Sequence, residues 1–434
     1  MMINYSVEAY GKPAITGEDE FVSRVLDTPV SSEEFSRLRD CIDYIGVTER
    51  FRDVIRSFRK DPHNTPAGFR RELIYSADRV LRVDLVRDIS YDSNGILRPT
   101  NVLFSADSAN PYEIEPMKDL IANLTCNPGI IYDLFINNPK ANIGNKFKNR
   151  DEVMIAIGEI LGPGVDISIE LNNPFEKDFN KILEEAEKFR DILSPYRVVI
   201  KVPHTGAVNS GNVNELLTND KKLSDSFKTP ATRDAFSSHN LCLKLKAQGY
   251  RINYTLMFEP YQTQLALQAK PYFINTFLRQ RLLHSETIQR YITAFEATQD
   301  SSFLINLRQF LYDIDYLGSS DLTAGLLDIY REAKAMLAYR AFNDKEGLDG
   351  LDGMRHNLRC LKNCNMTDTR LIVCSMEGEN NYPSIDKLLC EPEFSELNKK
   401  VVITTEPSYF ARFTSTHQVT TYQRRFMNAA NGQK

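Results

Sequence analysis

The sequence lacks the apolar segments that membrane insertion or secretion would require. No stretch approaches the roughly 20 consecutive apolar residues that span a bilayer. Residues 1–17 contain neither a basic region nor an apolar core, so no secretory signal is expected there. We therefore expect a cytoplasmic protein that makes no membrane contact.

An excess of positive charge is also lacking. The chain carries 53 Lys and Arg residues against 58 Asp and Glu residues, a formal net charge of −5. Nucleic-acid binding through phosphate neutralisation is therefore not expected. Neither the Walker spacing nor a Gly-x-Gly-x-x-Gly turn is present, which disfavours a nucleotide-binding enzyme.

Cysteine and histidine are too few and too dispersed to predict a metal site. The seven cysteines are scattered, which is typical of reduced thiols in the cytosol. Cys360 and Cys364 are close in sequence, but no nearby histidine completes a zinc pattern. Of the six histidines only His204 directly follows a predicted strand, and we interpret it as a residue near the substrate or supporting its site. We predict neither a metal ion nor a cofactor.

What the sequence does contain is typical of a globular protein with a sizeable core. Hydrophobic residues make up 42% of the chain and charged residues 26%, and 434 residues allow one large domain with additions. Residues 18–90 are polar with apolar residues at roughly helical spacing, and Ser31 followed by Glu34 resembles a capping box. We therefore predict a mostly helical N-terminal extension over residues 1–98.

From residue 100 onward, short apolar runs alternate with helical stretches. We predict eight strands, at residues 101–106, 120–125, 166–171, 197–202, 251–257, 272–275, 370–375 and 401–405. This alternation predicts an α/β fold, a (β/α)8 barrel over residues 99–434 with its active site at the carboxyl ends of the strands. Residues 203–248 would form a lid on that side, and residues 283–363 a helical insertion between the sixth and seventh strands, for packing or a subunit interface.

Lys201 closes the apolar run Val198-Val199-Ile200 in the fourth predicted strand. A cation in a buried strand is costly unless it has a use. Desolvation lowers the pKa of an ammonium group, and the neutral amine attacks a carbonyl to form a Schiff base. The alternative is that the aliphatic stem is buried while the ammonium reaches solvent at the strand end.

The other predicted strands also deliver polar residues near their carboxyl ends, which converge on one pocket in a barrel. These residues are Asp107, Thr125, Asn127, Glu170, Asn253 and Thr255. An amine, two carboxylates and neutral hydrogen-bonding groups are what carbon–carbon chemistry through an imine requires. Taken singly, Glu170 is equally explained by a salt bridge and Asn253 by a turn.

These residues resemble the motifs of the transaldolase family of class I aldolases and of the related fructose-6-phosphate aldolases. The lysine strand is similar to residues 198–205, and the family's Asn-x-Thr-Leu-x-Phe strand, with a Gln four residues later, is similar to residues 253–258 and Gln262. The family's Thr-Thr-Asn-Pro turn is similar to residues 125–128, its first-strand aspartate falls on Asp107 and its third-strand glutamate on Glu170. The resemblance covers residues 100–282 well and residues 370–410 more weakly.

The resemblance implies a barrel of the class I aldolase type and a function in carbohydrate metabolism such as the pentose phosphate pathway. Lys201 would form the Schiff base with a ketose donor, Glu170 with Thr255 would manage a catalytic water, and Asp107 would act as the C3–C4 bond breaks. The substrate-binding residues would be Thr125, Asn127, Asn253, Asn275, Arg279 and Arg281. The dihydroxyacetone unit would then be transferred to an aldehyde.

The sequence departs from this family where the sugar phosphate would bind. The family's sixth strand leads to a phosphate-binding arginine, but here Gln280 holds that position between Arg279 and Arg281, and Asn275 replaces an accompanying serine. Adjacent residues face different ways, so at most one flanking arginine could substitute.

A second phosphate-binding segment, Ser-Phe-Arg in the family, reads Ser375-Met376-Glu377-Gly378-Glu379, and its two acids would repel a phosphate. We expect the Schiff-base chemistry to be retained with phosphate recognition altered or lost. The substrate would then be a free or unusually substituted ketose, or one whose phosphate contacts Arg279, Arg281 or the inserted segments.

Two alternatives remain open at this point. A lyase of the same chemistry would release the three-carbon product instead of transferring it. A barrel without turnover would act as a binding or scaffold protein through its helical additions, although the intact lysine, aspartate and glutamate disfavour this. The expected ligand is a small sugar or sugar phosphate, and the sequence leaves a homo-oligomer open.

Overall fold

A computed structural model describes residues 5–58, 66–92, 96–206, 208–214, 236–340, 351–374, 381–414 and 416–433. The chain divides into two compact units. The first comprises Met1–Glu170 with Glu184–Val199, and the second comprises Leu171–Leu183 with Ile200–Lys434.

Small sheets and short helices make up the N-terminal part of the first unit. Its elements are β1 Tyr5–Ser6, α1 Asp19–Val22, β2 Pro29–Val30, α2 Ser32–Leu38, β3 Tyr44–Val47, α3 Glu49–Ser57, β4 Phe69–Tyr75 and β5 Val80–Arg87. Strands β1 and β2 pair with each other, and a second sheet has the order β3-β5-β4. Apolar side chains between Val7 and Leu85 form one buried cluster, so this region has a core of its own.

The prediction of a mostly helical N-terminal extension is therefore wrong for residues 69–87. These residues form an antiparallel hairpin of β4 and β5, although the predicted capping box at the start of α2 is confirmed. The valines Val80, Val83 and Val86 lie three residues apart, which imitates a helical period. Branched side chains favour strands instead, and Arg79 turns the chain with a φ of 62°.

Eight further strands form a closed barrel, with the order β10-β11-β12-β13-β6-β7-β8-β9. They are β6 Leu103–Asp107, β7 Ile121–Cys126, β8 Asp166–Glu170, β9 Val198–Pro203, β10 Arg251–Thr255, β11 Phe273–Phe277, β12 Arg370–Cys374 and β13 Val401–Thr405. Each lies within two residues of its predicted bounds. The predicted eight-stranded parallel barrel is therefore confirmed, and residue 375 of the seventh predicted strand lies outside the described residues.

Helices accompany the barrel strands. They are α4 Pro111–Ile114, a π-helix at Gly129–Ile136, α5 Arg150–Leu161, α6 Phe179–Leu193, α7 Ser237–Ala247, α8 Gln262–Gln268, α9 Leu278–Thr298, α10 Ser302–Asp313, α11 Leu326–Tyr339, α12 Asp352–Lys362, α13 Asn381–Leu389, α14 Pro407–Thr414 and α15 His417–Ala430. Four of them, α9 to α12, lie between β11 and β12, and α9, α10 and α11 share a buried apolar cluster.

The predicted lid lies partly outside the residues that the structure describes. The predicted lid at residues 203–248 includes residue 207 and residues 215–235, which lie outside the described residues. Among the helices that the structure describes, none has the length and apolar character needed to cross a membrane.

Candidate active site

Lys201 is buried in the second unit, within a strand that has no exposed residue. All residues of β9 are buried, and Lys201 is 6% exposed. The amide of Leu171 donates a hydrogen bond of 3.3 Å to the carbonyl oxygen of Lys201. The structure thus agrees with the expected burial of the strand but not with a lysine side chain that is largely exposed to solvent.

Lys201 shares a face of the barrel wall with Asn253 and Thr255. The amide of His204 donates to the carbonyl of Thr255 over 2.8 Å, which sets Pro203 opposite Thr255 and Lys201 opposite Asn253 in the parallel register. Paired residues of neighbouring strands point to the same side. Tyr254, between Asn253 and Thr255, donates from its hydroxyl to the carbonyl of Ser238 in α7 over 3.2 Å, so that face is the outer one. Lys201, Asn253 and Thr255 therefore point into the barrel.

Asn275 on β11 fixes the orientation of the Asn253 amide. Its Nδ2 donates to Oδ1 of Asn253 over 2.6 Å and to the carbonyl of Tyr254 over 2.5 Å. The Asn253 oxygen is thus engaged, while its Nδ2 has no hydrogen-bond partner within the described part of the chain, and neither has Oγ1 of Thr255. Both residues are at most 1% exposed. Buried polar atoms nearly always have partners, so these two atoms could hydrogen-bond a ligand or an ordered water.

The strands that follow in the barrel order add two residues that sequence reasoning missed. Cys374, at the end of β12, donates from Sγ to Oδ1 of Asn275 over 3.5 Å. Thr404 on β13 is fully buried, and its Oγ1 finds no partner among the residues that the structure describes. Only their position near a strand end could have indicated that these two residues belong to the site. A cysteine or a threonine within an apolar run otherwise looks like an ordinary core residue.

Gln262 braces the loop that follows β10. Its Oε1 accepts hydrogen bonds from the amides of Phe258, at 2.8 Å, and Glu259, at 2.9 Å, and its Nε2 donates to the carbonyl of His204 over 3.2 Å. Leu256 in this loop has a φ of 56°, a conformation that costs a non-glycine residue about 1 kcal/mol or more. A strained loop tied down by one side chain gives the strand end a defined geometry.

His204 is an uncharged residue beside this site. It is 8% exposed, and its ring contacts the ring of Tyr254 edge-on, with 5.0 Å between centroids. Burial lowers the pKa of His204 to about 4, and the nearby His239 acts in the same direction. Its Nδ1 has no hydrogen-bond partner within the described residues. A neutral imidazole whose Nδ1 has no partner in the described ranges is compatible with the predicted role near the substrate.

In the first unit, Asp107 and Thr125 lie side by side at the ends of β6 and β7. The two residues are paired in the parallel register. Asp107 is half-buried, whereas Thr125 is 4% exposed and its Oγ1 has no partner among the described residues. Glu170 ends the neighbouring strand β8 and is half-buried. The predicted polar residues of three successive strands thus lie at or next to the strand ends, although Thr125 pairs with Ser168 and Glu170 lies two residues further along β8.

Asn127 has a structural role in addition to its predicted one. It follows β7, and its Oδ1 accepts a hydrogen bond of 2.9 Å from the amide of Ile130 at the start of the π-helix. The side-chain oxygen is therefore used in the turn. Any contact with a substrate would be made by its amide nitrogen, which is a donor.

A fully satisfied polar layer lies deeper in the same three strands. Nδ2 of Asn123 donates to Oγ of Ser105 over 2.9 Å, and Oγ of Ser168 donates to Oδ1 of Asn123 over 3.1 Å. All three residues are fully buried. Sequence reasoning did not single them out, because short polar residues inside apolar runs resemble solvent-facing positions of a strand.

The two arginines predicted to bind a phosphate differ sharply in their surroundings. Arg281 on α9 is 4% exposed, with Nη2 of its guanidinium 2.7 Å from Oδ2 of Asp352 and Nη1 2.7 Å from Oε2 of Glu259. Burial is the largest single influence on the pKa of Arg281 and lowers it. The two carboxylates together outweigh burial, so the pKa is raised. Arg279 is exposed and lies 4.0 Å from Glu406. Neighbouring Gln280 is exposed as well.

The remaining predicted elements of the site are not described. Glu377 and Glu379, which were expected to repel a phosphate, lie in residues 375–380, outside the described residues. The seven cysteines, all of which lie in the described ranges, form no disulfide. In the described ranges no group of three or more His, Cys, Asp or Glu side chains is arranged to hold a metal ion.

No protein-family model and no curated protein matches this chain. Each unit is therefore characterised by its own geometry. In the second unit, Lys201 shares an inner face with polar atoms that have no partner among the described residues. In the first unit, polar residues lie at the strand ends.

Proposed function

We propose that this chain is a transaldolase-like enzyme that forms a Schiff base between Lys201 and a ketose donor. The observation that carries the proposal is the burial of Lys201 on the same inner face as Asn253 and Thr255. Asn253 and Thr255 each have one buried polar atom without a partner among the described residues. Burial of an amine favours its neutral, nucleophilic form. Carboxyl ends of strands in a closed eight-stranded barrel are the usual location of active sites.

The proposed reaction begins with attack of Nζ of Lys201 on the ketone carbon. A C–N bond forms, and the carbonyl oxygen leaves as water with the two amine protons. An additional proton, supplied by an acid in the site, gives the protonated imine. As the C3–C4 bond breaks, the imine accepts its electron pair, and a base takes the proton of the C4 hydroxyl, so that an aldehyde leaves. The remaining three-carbon enamine then adds to a second aldehyde in a transferase. In a lyase it is protonated and hydrolysed.

The roles of the other residues follow from the family resemblance and remain predictions. Asp107 would be the base for C3–C4 cleavage, and Glu170 with Thr255 would manage the water lost during imine formation. Asn253 would donate from Nδ2, which has no partner among the described residues, to a hydroxyl or carbonyl oxygen of the dihydroxyacetone unit, and Asn127 would donate from its side-chain amide.

Altered phosphate recognition is part of the proposal. Arg281 is held by Asp352 and Glu259, so a phosphate at this guanidinium would have to displace two carboxylates. Arg279 remains accessible, but Glu406 lies near it. We expect low efficiency with fructose 6-phosphate and erythrose 4-phosphate in steady-state assays. Ordinary transaldolase efficiency with this pair would contradict altered phosphate recognition and leave the Schiff base intact.

The decisive experiment is borohydride trapping of the imine. The protein is incubated with phosphorylated and free ketoses, reduced, digested and analysed by mass spectrometry. We expect a stable adduct on the peptide containing Lys201, and none in Lys201→Met. If no ketose gives an adduct and the wild type behaves like Lys201→Met, the enzymatic proposal fails.

The fate of the three-carbon unit separates transferase from lyase. With an accepted donor identified by trapping, products are analysed with and without an added aldehyde. We propose the transferase, so we expect turnover to depend on the aldehyde acceptor. Release of the three-carbon ketone at the same rate without acceptor would establish the lyase instead.

A further inference from the structure

A cavity of about 320 Å³ lies at the opposite ends of β10, β11 and β12 from the candidate active site. It is formed within the second unit by the start of each of these strands and by the end of α7. Its lining includes Lys246, Arg251, Lys270, Tyr272 and Asp368. We call it the basal cavity. Thr255 lies four positions after Arg251 in β10, which corresponds to about 13 Å along the strand.

The basal cavity concentrates positive charge in a protein that is acidic overall. Lys246, Arg251 and Lys270 contribute three cations to its wall, against the single carboxylate of Asp368. The guanidinium carbon of Arg251 lies 4.9 Å from the centroid of the Tyr272 ring, so the guanidinium is held against this ring in the cavity wall. This arrangement of a planar fork and two ammonium groups matches the oxygens of a phosphate group.

The two lysines are held close to each other although their charges repel. Nζ of Lys246 donates a hydrogen bond to the carbonyl of Lys270. Burial lowers the pKa of Lys246, and the charge of Lys270 acts in the same direction. A negatively charged ligand beside them would relieve this repulsion.

Lys270 also occupies a backbone position that does not suit it. It follows α8 with a φ of 51°, a left-handed conformation that helices commonly assign to glycine just after their end. A lysine in this conformation is strained relative to glycine. Its side chain lines the basal cavity, where a glycine would contribute no charge.

We propose that the basal cavity binds a small phosphate-bearing anion, either inorganic phosphate or a phosphate monoester. Its volume lies at the lower end of the range for small-molecule sites, which suits a phosphate with a few attached atoms. The site is separate from the candidate active site and does not depend on the proposed function.

The test is calorimetric titration and thermal denaturation of the full chain at constant ionic strength. Inorganic phosphate and glycerol 3-phosphate serve as probes, with chloride as the reference anion, because screening alone changes weak charge effects. We expect saturable binding of at least one probe, with a rise in Tm. Binding of glycerol 3-phosphate alone would identify an ester as the source, whereas equal affinity for both probes would identify the phosphate group itself. Binding of neither probe overturns the proposal.

Three variants locate the site. Lys246→Gln should weaken binding by about tenfold or more, because a charge-assisted contact is lost. Lys244→Gln, an exposed position on the same helix outside the cavity lining, is the matched control and should bind normally. Lys270→Gly should weaken binding while keeping or raising the Tm of the unliganded protein, since the backbone strain is removed.

Lys201→Met separates this site from the candidate active site. We expect it to bind both probes as the wild type does. If Lys201→Met alone abolishes binding, or if Lys246→Gln and Lys270→Gly leave the affinity unchanged, the probes bind elsewhere and the proposal is wrong.

Discussion

At the scale of single residues, buried polar groups in the barrel fall into two kinds. Ser105, Asn123 and Ser168 satisfy one another through side-chain hydrogen bonds in the first unit. Asn253 and Thr255 in the second unit retain polar atoms without partners among the described residues. The first kind stabilises one strand arrangement, whereas the second is costly to the folded protein unless a ligand or water uses it.

This difference predicts that Thr255→Val separates stability from activity. Valine has nearly the same shape and removes a buried hydroxyl that has no partner in the described chain. We expect the free energy of unfolding to stay equal or to rise by up to about 1 kcal/mol. Activity and the rate of imine trapping should fall by about tenfold or more. Urea denaturation and trapping kinetics measure the two effects.

Thr263→Val is the matched control for this comparison. Thr263 is equally buried, but its Oγ1 donates to Oδ1 of Asn357 over 2.5 Å. Its loss leaves a buried acceptor unpaired and should cost about 1–3 kcal/mol. A similar loss of stability in Thr255→Val would show that Thr255 is an ordinary structural residue.

Because His204 is buried as a neutral ring, we expect the free energy of unfolding to fall in mild acid. Its pKa is lowered by burial from 6.5 to about 4, so below pH 6.5 the unfolded chain takes up a proton that the folded protein excludes. Stability conferred by the neutral ring is complete above the unfolded pKa and is lost as the pH falls towards the folded pKa. Between pH 7 and 5 this amounts to about 2 kcal/mol.

His204→Gln should therefore flatten the dependence of the urea midpoint on pH between 7 and 5. His284, whose pKa is also lowered to about 4 by burial, remains in the variant and preserves part of the slope. Equal slopes in wild type and variant would mean that His204 takes up its proton in the folded protein as readily as in the unfolded chain.

The sequence predicted the burial of a single residue correctly where burial depends on that residue's neighbours in the chain. The burial of Lys201 follows from its own apolar run, which occupies a fully buried strand. The orientation of Asn253 is set by Asn275, which is 22 positions away in the chain. Such a contact depends on which strands become neighbours, and no local pattern contains that information.

At the scale of elements, the eight barrel strands were predictable and the N-terminal hairpin was not. Parallel strands covered on both faces are continuous apolar runs, so their ends are marked by polar residues on each side. Strands β4 and β5 have charged residues along one partly exposed face. Their charge pattern resembles that of a solvent-facing helix, and only the branched residues and the turn distinguish them.

Arg281 has a structural role, because its ion pairs connect separate elements of the second unit. Its guanidinium joins α9 to Asp352, at the start of α12, and to Glu259, in the loop after β10. In the sequence, Arg281 lies next to Gln280, the position at which the transaldolase family has a phosphate-binding arginine. Its partners lie 71 and 22 residues away, so their presence was not predictable.

We expect Arg281→Met to destabilise the protein rather than to weaken substrate binding. Removing one partner of a buried ion pair costs about 3–5 kcal/mol. Here it takes the Arg281 counter-charge from Asp352, whereas Glu259 keeps Arg340 at 3.9 Å. Arg279→Met, at an exposed position, should change stability by less than about 0.5 kcal/mol. Urea denaturation gives the stability, and KM for the trapped donor gives the binding effect. An unchanged stability with a raised KM in Arg281→Met would instead identify it as a substrate ligand.

At the scale of the whole molecule, the apolar core is divided among separate clusters. The N-terminal sheets of the first unit enclose one cluster, and helices α9, α10 and α11 of the second unit enclose another. The sequence predicted helices in the latter region but could not assign their partners, since any apolar helix face fits many others. Separate clusters favour local opening without global unfolding.

Leu307→Ala tests whether the helices α9, α10 and α11 open independently of the barrel. Leu307 is fully buried in their shared cluster, and its truncation should cost about 2–4 kcal/mol. Hydrogen exchange followed by mass spectrometry should then show amide exchange in these helices accelerated by about 30-fold or more. Leu327→Ala, at a position 57% exposed on α11, is the control and should change exchange little.

The same variant decides whether the helices are needed for the candidate site. Lys201, Asn253 and Thr255 lie on β9 and β10, and none of them belongs to the helical cluster. If opening is local, protection of β10 to β13 and borohydride trapping at Lys201 persist in Leu307→Ala. If barrel amides lose protection in parallel, the helices and the barrel form one cooperative structure, and a single substitution in the helices would lower activity through the folded population.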